Sequence, residues 1–195
     1  RRAAGTADPD AWITPVCFAE PLAPCAAAAR AGRPIAWPRL TAAVSRMRRR
    51  HRILVVEGIG GWLVPITPRR TVADLARAAG LPVVLVARLR LGTLNHTLLT
   101  VRQIRRDGAP LLGVLLNAAD PSPRPADRLA ERSAIEWLPR LLPVPVLGVL
   151  PRASVAFSPE ALAAWLSAHV RPHFLHWLRR RAAGPTTRRR IGPMH

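Results

Sequence analysis

Four short stretches of this sequence carry groups that could do chemistry. In Val55-Val56-Glu57-Gly58-Ile59-Gly60-Gly61, a carboxylate closes an apolar run and three glycines follow within four residues. Glycines let a backbone approach a phosphate and turn its N–H groups toward it. A carboxylate beside a polyphosphate is a natural Mg²⁺ ligand, directly or through water. A Glu ending a strand before a plain turn would look the same. Leu91-Gly92-Thr93-Leu94-Asn95-His96 places Thr93 where it or a neighbour can cap a helix, and the free N–H groups of a helix start attract anions. His96 is as easily a surface or packing histidine as a functional one. Asn117 closes Leu112–Leu116 and offers both a donor and an acceptor, as a purine edge requires, or it simply turns the chain. Gly148-Val149-Leu150-Pro151-Arg152 ends another apolar run, where a backbone can flank a flat base.

These stretches need elements to position them. Ile53–Val56, Val83–Ala87, Leu112–Leu116 and Val144–Leu150 have strand length and are apolar at consecutive positions, the pattern of strands covered on both faces. Helical spacing runs over Trp37–Arg50, Thr71–Ala79, Thr93–Asp107, Pro125–Leu141 and 159–180. Val72, Leu75, Ala76 and Ala79 share one face and stop at Gly80, a C-terminal cap residue, while Pro172 is a candidate break in the last helix. Residues 119–127 read as a Pro-rich loop. The alternation predicts an α/β fold of three layers, with a mostly parallel sheet, helices on both faces and right-handed crossovers. In such sheets ligands bind beyond the carboxyl ends of the strands. Residues 1–170 read as one domain. Residues 171–195 read as a basic C-terminal extension, expected to be flexible, with 181–195 a disordered tail.

Composition narrows the function classes. The chain has 195 residues, 49% of them apolar, which is enough to bury a core and argues against extended disorder. Thirty basic residues against eleven acidic ones give a net charge of +19, and every basic one is Arg. Without Lys, these residues hold no Schiff-base lysine and no Walker-type phosphate loop. Arg clusters at 46–52 and across 171–195 could meet phosphate backbones. The reading preferred is solvated surface charge plus a basic tail, with no nucleic-acid partner, because charge speaks to association rather than to function. Cys17 and Cys25 make neither a disulfide framework nor a metal finger, so a reducing cytoplasm is expected. No stretch approaches the ~18–20 apolar residues of a membrane span, and no membrane partner is expected.

Each motif is weak alone, but their order is informative. Val55-Val56-Glu57-Gly58-x-Gly60-Gly61-x-Leu63-Val64-Pro65, Thr71-Val72-Ala73-Asp74-Leu75-Ala76, Gly80-Leu81-Pro82-Val83 through Arg88, and Leu91-Gly92-Thr93-Leu94-Asn95-His96-Thr97 together resemble the dethiobiotin synthetase family. Phe18-Ala19-Glu20-Pro21 upstream, and Gly113 to Asn117 and Leu147 to Pro151 downstream, extend the resemblance over about residues 13–165. It implies a phosphate-loop NTPase-like fold and a homodimeric enzyme of biotin biosynthesis that makes dethiobiotin from 7,8-diaminononanoate, CO₂ and ATP with Mg²⁺. In the family a carbamate forms on one amine, ATP phosphorylates it, and the second amine closes the ureido ring. This is phosphoryl transfer, so positioning and charge neutralisation dominate. By resemblance, Glu57 is the Mg²⁺ ligand, and Glu57, Gly58, Ile59 and Gly60 face the nucleotide. Asn117 and Ala118 read the adenine, and Pro151, Arg152 and Ala153 flank it. Gly92, Thr93, Leu94 and Asn95 hold the substrate carboxylate near the dimer interface.

The sequence also departs from the family. The family's opening strand and its Gly-Thr-Asp-Thr-x-x-Gly-Lys-Thr loop are not among residues 1–195, nor are its Lys-Pro-Val segment and the following metal-binding Asp. Asp8 and Asp10 lie near that place without matching surroundings. Ile59 stands for the usual Ala, Trp62 for a common Leu and Cys25 for a usual His. The expectation is an N-terminally truncated member, inactive as these 195 residues and carrying no catalytic residue of its own, with an unpaired apolar edge at Ile53–Val56 or a neighbouring strand. The alternative is a non-catalytic binding or scaffold relative with a nucleic-acid-binding tail. Cobyrinate amidotransferase synthetases and partition ATPases are further relatives by fold, and the Gly-Thr-Leu-Asn-His-Thr stretch argues against them.

Overall fold

A computed structural model describes residues 5–118, 125–152 and 158–183. Three strands make the central sheet: β3 (Val83–Arg88), β4 (Leu111–Asn117) and β5 (Val146–Leu150). They are parallel and adjacent in the order β3-β4-β5. A small antiparallel pair, β1 (Pro65–Thr67) and β2 (Arg70–Thr71), precedes them. The helices are α1 (Asp10–Ile13), α2 (Pro24–Arg30), α3 (Trp37–Arg50), α4 (Val72–Ala79), α5 (Thr93–Arg106), α6 (Pro125–Leu141), α7 (Pro159–His169) and α8 (Pro172–Ala183).

The consecutive apolar runs form strands because both faces of the sheet are covered. On one face Val101 of α5 and Ala134 and Leu138 of α6 close over Ala87, Val114, Leu116 and Val146. On the other, Val170 and Phe174 pack on Leu147, with Leu166 and Trp177 beside them. The predicted three-layer α/β architecture is thus the observed one. Both crossovers, through α5 and through α6, join neighbouring parallel strands, as short right-handed units do.

Helix ends follow local chemistry. Thr71 caps α4 in a complete capping box: Asp74 N donates to Thr71 Oγ1 at 3.4 Å, and Thr71 N donates to Asp74 Oδ2 at 2.8 Å. Gly80 ends α4 in the left-handed conformation at φ 59°. The segment over 159–180 is two helices rather than one. Pro172 occupies the first turn of α8, where its missing N–H costs nothing, and Arg171 N donates to Leu147 O at 2.7 Å. Residues 172–183 of the stretch read as an extension are helical, and Phe174 packs on Leu147 of β5. Gly148 permits this docking, since a Cβ there would lie 2.2 Å from His169 O.

The first expected strand is not formed. Ile53–Val56 lies outside both sheets, with Ile53 56%, Val55 85% and Val56 41% exposed. A strand exists only when a neighbour pairs its N–H and C=O groups, and apolar propensity cannot supply that neighbour. β3 is an outer strand of the sheet, with Val86 56% exposed. Among the described residues, no helix is long and apolar enough to cross a membrane.

Candidate functional site

The strand register builds one rim. Arg88, Asn117 and Leu150 are opposite one another across β3, β4 and β5, so the three carboxyl ends finish level. The backbone fixes this rim beyond the last ladder pairs: Leu89 N donates to Asn117 O at 2.8 Å and Ala118 N to Leu150 O at 2.9 Å. Asn117 is half-buried. Pro151 and Arg152 follow directly and are exposed, while Ala153 lies outside the described residues. Arg88, opposite Asn117, and Arg90 and Arg152, which follow the ends of β3 and β5, are exposed and raise the positive potential of the rim.

α5 opens from the same rim, four residues after β3. Its N-cap is Gly92 at φ 91°, not Thr93, and no side chain caps it. Of the two positions expected to cap, Thr93 or a neighbour, it is the neighbour that does so. Thr93 is buried and its hydroxyl lies 3.4 Å from that of Thr97, also buried, so it serves packing within the helix. Leu94 packs against the core and Asn95 is exposed. An uncapped helix start has N–H groups to offer an anion. His96 is exposed, and its ring lies 3.4 Å from where a Cβ on Gly92 would stand.

Glu57 is positioned differently. It is exposed, on the coil after Val56 rather than at a strand end. Its loop is anchored on two sides. A Cβ on Gly58 would come within 2.7 Å of Val72 Cγ1 at the start of α4. Trp62 Nε1 donates to Asp107 Oδ2 at 2.7 Å, and its ring packs with Ala73, Ile104 and Ala109. Gly60 has φ 68°, and a Cβ there would meet Val64 at 2.9 Å. Gly58 and Gly60 thus suit the loop's own packing, whereas a Cβ on Gly61 would meet nothing. Ile59 is 58% exposed and touches no core cluster. The structure therefore sets 117–118 beside the end of β5, from which 151–152 follow, starts α5 just beyond β3, and holds Glu57 to Gly60 beside α4 without strand pairing to the sheet.

The donor set can be tested against Mg²⁺ and ATP. Among the described residues, no group of three or more His, Cys, Asp or Glu could enclose a metal. One exposed carboxylate fits Mg²⁺ only as a shared ligand, with phosphates and water completing the shell, which is how Mg²⁺ is commonly held. The half-buried Asn117 amide fits a purine edge.

Sequence reasoning missed the anchors. Glu20, in the Phe18-Ala19-Glu20 segment, accepts from Arg30 Nε at 2.5 Å, and the Arg33 guanidinium lies 4.7 Å from the centre of the Phe18 ring. Arg48 donates to Ala79 O at 2.6 Å, tying α3 to the end of α4. Arg in a last turn is a general signal for carbonyl capping, though not of this distant partner.

A family model described as an AAA domain matches residues 1–159. The ATP-dependent dethiobiotin synthetase of Anaeromyxobacter dehalogenans (strain 2CP-C) is 46% identical over 147 residues, 71% of this chain and 66% of that protein. Those of Aromatoleum aromaticum and Bacillus subtilis are 41% and 38% identical, covering 85% and 72% of this chain and 71% and 59% of their own length. The chain spans just under two thirds of the length of the first relatives it matches.

Proposed function

The chain belongs to the dethiobiotin synthetase family, and from that premise we propose that it takes part in the ATP-dependent closure of a ureido ring on 7,8-diaminononanoate with CO₂, giving dethiobiotin, ADP and phosphate. The observation that supports this reading is the common rim, where Asn117 stands in register with Arg88 and Leu150 and α5 begins without a side-chain cap shortly after β3.

Asn117 and the Ala118 backbone read the adenine edge, with Pro151, Arg152 and Ala153 flanking the base. Gly92, Thr93, Leu94 and Asn95 receive the carboxylate of the substrate at the start of α5, through backbone N–H groups and the helix dipole. Arg88 and Arg152 supply positive potential at the rim. Glu57, carried by the Gly58–Gly60 turn, takes one position on Mg²⁺. When bound, Mg²⁺ neutralises phosphate charge in the transfer step. The active form is a homodimer in a reducing cytoplasm, where the exposed Cys17 and half-buried Cys25 stay as thiols.

A non-catalytic scaffold role has no feature of the rim in its favour. The test is dethiobiotin formation from 7,8-diaminononanoate, bicarbonate, ATP and Mg²⁺. It is run on the 195-residue chain alone and on the same chain preceded by the phosphate-loop segment of a relative. Product is expected only in the second case, because the 195 residues contain no Lys to meet the phosphates. Absence of product in both refutes the function, and product from the 195 residues alone refutes the need for that loop.

A further inference from the structure

A second cleft lies away from the rim. The N-terminal segment folds back on the C-terminal end of α3 and leaves an open cleft of about 330 Å³ lined by Thr6, Asp8, Pro9, Trp12, Arg50 and His51. Its place in the fold is the opposite end of the sheet. Arg48 of the same helix turn bonds Ala79 O, and α4 leads from there through Gly80 into the start of β3, whereas Arg88 and Asn117 close the strands.

Asp8 organises this cleft. It is only 4% exposed. Its Oδ1 accepts from Arg50 Nε at 3.0 Å, and its Oδ2 accepts from Thr6 Oγ1 at 2.7 Å and pairs with His51 Nε2. The hydroxyl of Thr6, with the hydrogen bonds of His51 and Arg50, holds its carboxyl below the usual range, so it is an anion that is already well engaged. It accepts from the Nε edge of Arg50, a bond that does not use the two terminal nitrogens. Arg46, one turn earlier, lies over the same Trp12 ring as Arg50, at 4.9 Å and 5.1 Å from its centre. Two guanidinium groups four residues apart on one ring repel each other. Arg48 and Arg49 raise the potential further, against Asp8 and Asp10 as the acids of the facing segment. Such a pair of planar forks, backed by a buried carboxylate that fixes one of them, matches the oxygens of a compact dianion.

We propose that this cleft binds the phosphate group of a small molecule, free or as a monoester, with Arg46 and Arg50 as the paired donors and Trp12 as the plate that aligns them. A volume at the small end of ligand sites suits a phosphate with a short organic group. The charge favours a dianion over a monocarboxylate.

Calorimetric titration of the 195-residue chain at constant ionic strength tests the site, with inorganic phosphate, glycerol 3-phosphate and acetate as probes. Both phosphates are expected to bind at one site per chain and acetate about tenfold more weakly. Tighter binding of the monoester identifies a phosphorylated metabolite as the source, and equal binding identifies free phosphate. Arg46→Gln, which leaves the Asp8 contacts in place, is expected to weaken phosphate about tenfold. Arg49→Gln removes the same charge from the same helix end and is expected to change affinity less than about twofold. Circular dichroism melts check that both variants fold. No saturable phosphate binding, acetate as tight as phosphate, or equal losses in the two variants would each overturn the site. Equal losses would mark a diffuse basic surface of the kind that nucleic acid uses.

Discussion

The hydrogen bond from Trp62 to Asp107 joins the Glu57 loop to the far end of α5, and it can be removed with little else. Trp62→Phe keeps an aromatic ring against Ala73, Ile104 and Ala109 and deletes the 2.7 Å donor. A hydrogen bond to a charged group contributes about 1.5–3 kcal/mol. Two features pull the loss to the low end. Asp107 keeps a second donor, Gln103 Nε2 at 2.8 Å, and it is half-exposed, so water can replace the indole. One feature acts the other way: a carboxylate at a helix C-terminus is poorly placed against the dipole and depends on its donors. The expected destabilisation is about 1–1.5 kcal/mol, or roughly 2–6 °C in Tm for a chain of this size. Trp62→Leu also loses ring packing, so about 2 kcal/mol more is expected. Urea unfolding followed by circular dichroism measures both. The decisive comparison is a double-mutant cycle with Asp107→Asn, in which a coupling below about 0.3 kcal/mol would show that the bond does not anchor the loop.

Thr71→Ala breaks the capping box of α4 and is expected to cost about 1 kcal/mol in the same urea assay, with Thr71→Ser nearly neutral. Asp8 and Asp74 both have carboxyl pKa values held below the usual range, by the Thr6 hydroxyl and by the Thr71 backbone N–H respectively. Each therefore contributes stability that is complete above the ordinary carboxylate range and is lost as pH falls through the depressed value. Stability should be flat near neutrality and begin to fall below about pH 4, and Asp74→Asn should flatten that fall; an unchanged acid limb would contradict the assignment. In the chain joined to a relative's phosphate loop, Glu57→Gln is expected to lower synthetase turnover and raise the Mg²⁺ concentration needed for half-maximal rate. Wild-type Mg²⁺ dependence in that variant would remove Glu57 from the metal.

Much of the frame could be read residue by residue because its causes are local. Thr71, Asp74 and Gly80 fix both ends of α4 within ten residues, and the helical face of Val101 and Ile104 in α5 follows from spacing alone. Val83–Ala87 and Leu112–Leu116 form strands as their apolar runs predict, since each finds a neighbour in the other. Ile53–Val56 has the same composition and no such neighbour, so the identical local signal ends as exposed coil. Spacing left the cap of α5 to Thr93 or a neighbour; it falls to Gly92, while the Thr93 hydroxyl lies against that of Thr97, one turn along.

What spacing could not supply were the contacts between distant residues. Asn117 was legible as a chemical group, but its level with Arg88 and Leu150 comes from strand register. The anchoring of Trp62 by Asp107 and the pairing of Asp8 with Arg50 span 45 and 42 residues. A residue's type sets which bonds it can make, and short-range spacing decides helix ends and apolar faces. Which partner a group meets depends on chain closure over many residues, whose entropy is repaid only when the whole core assembles.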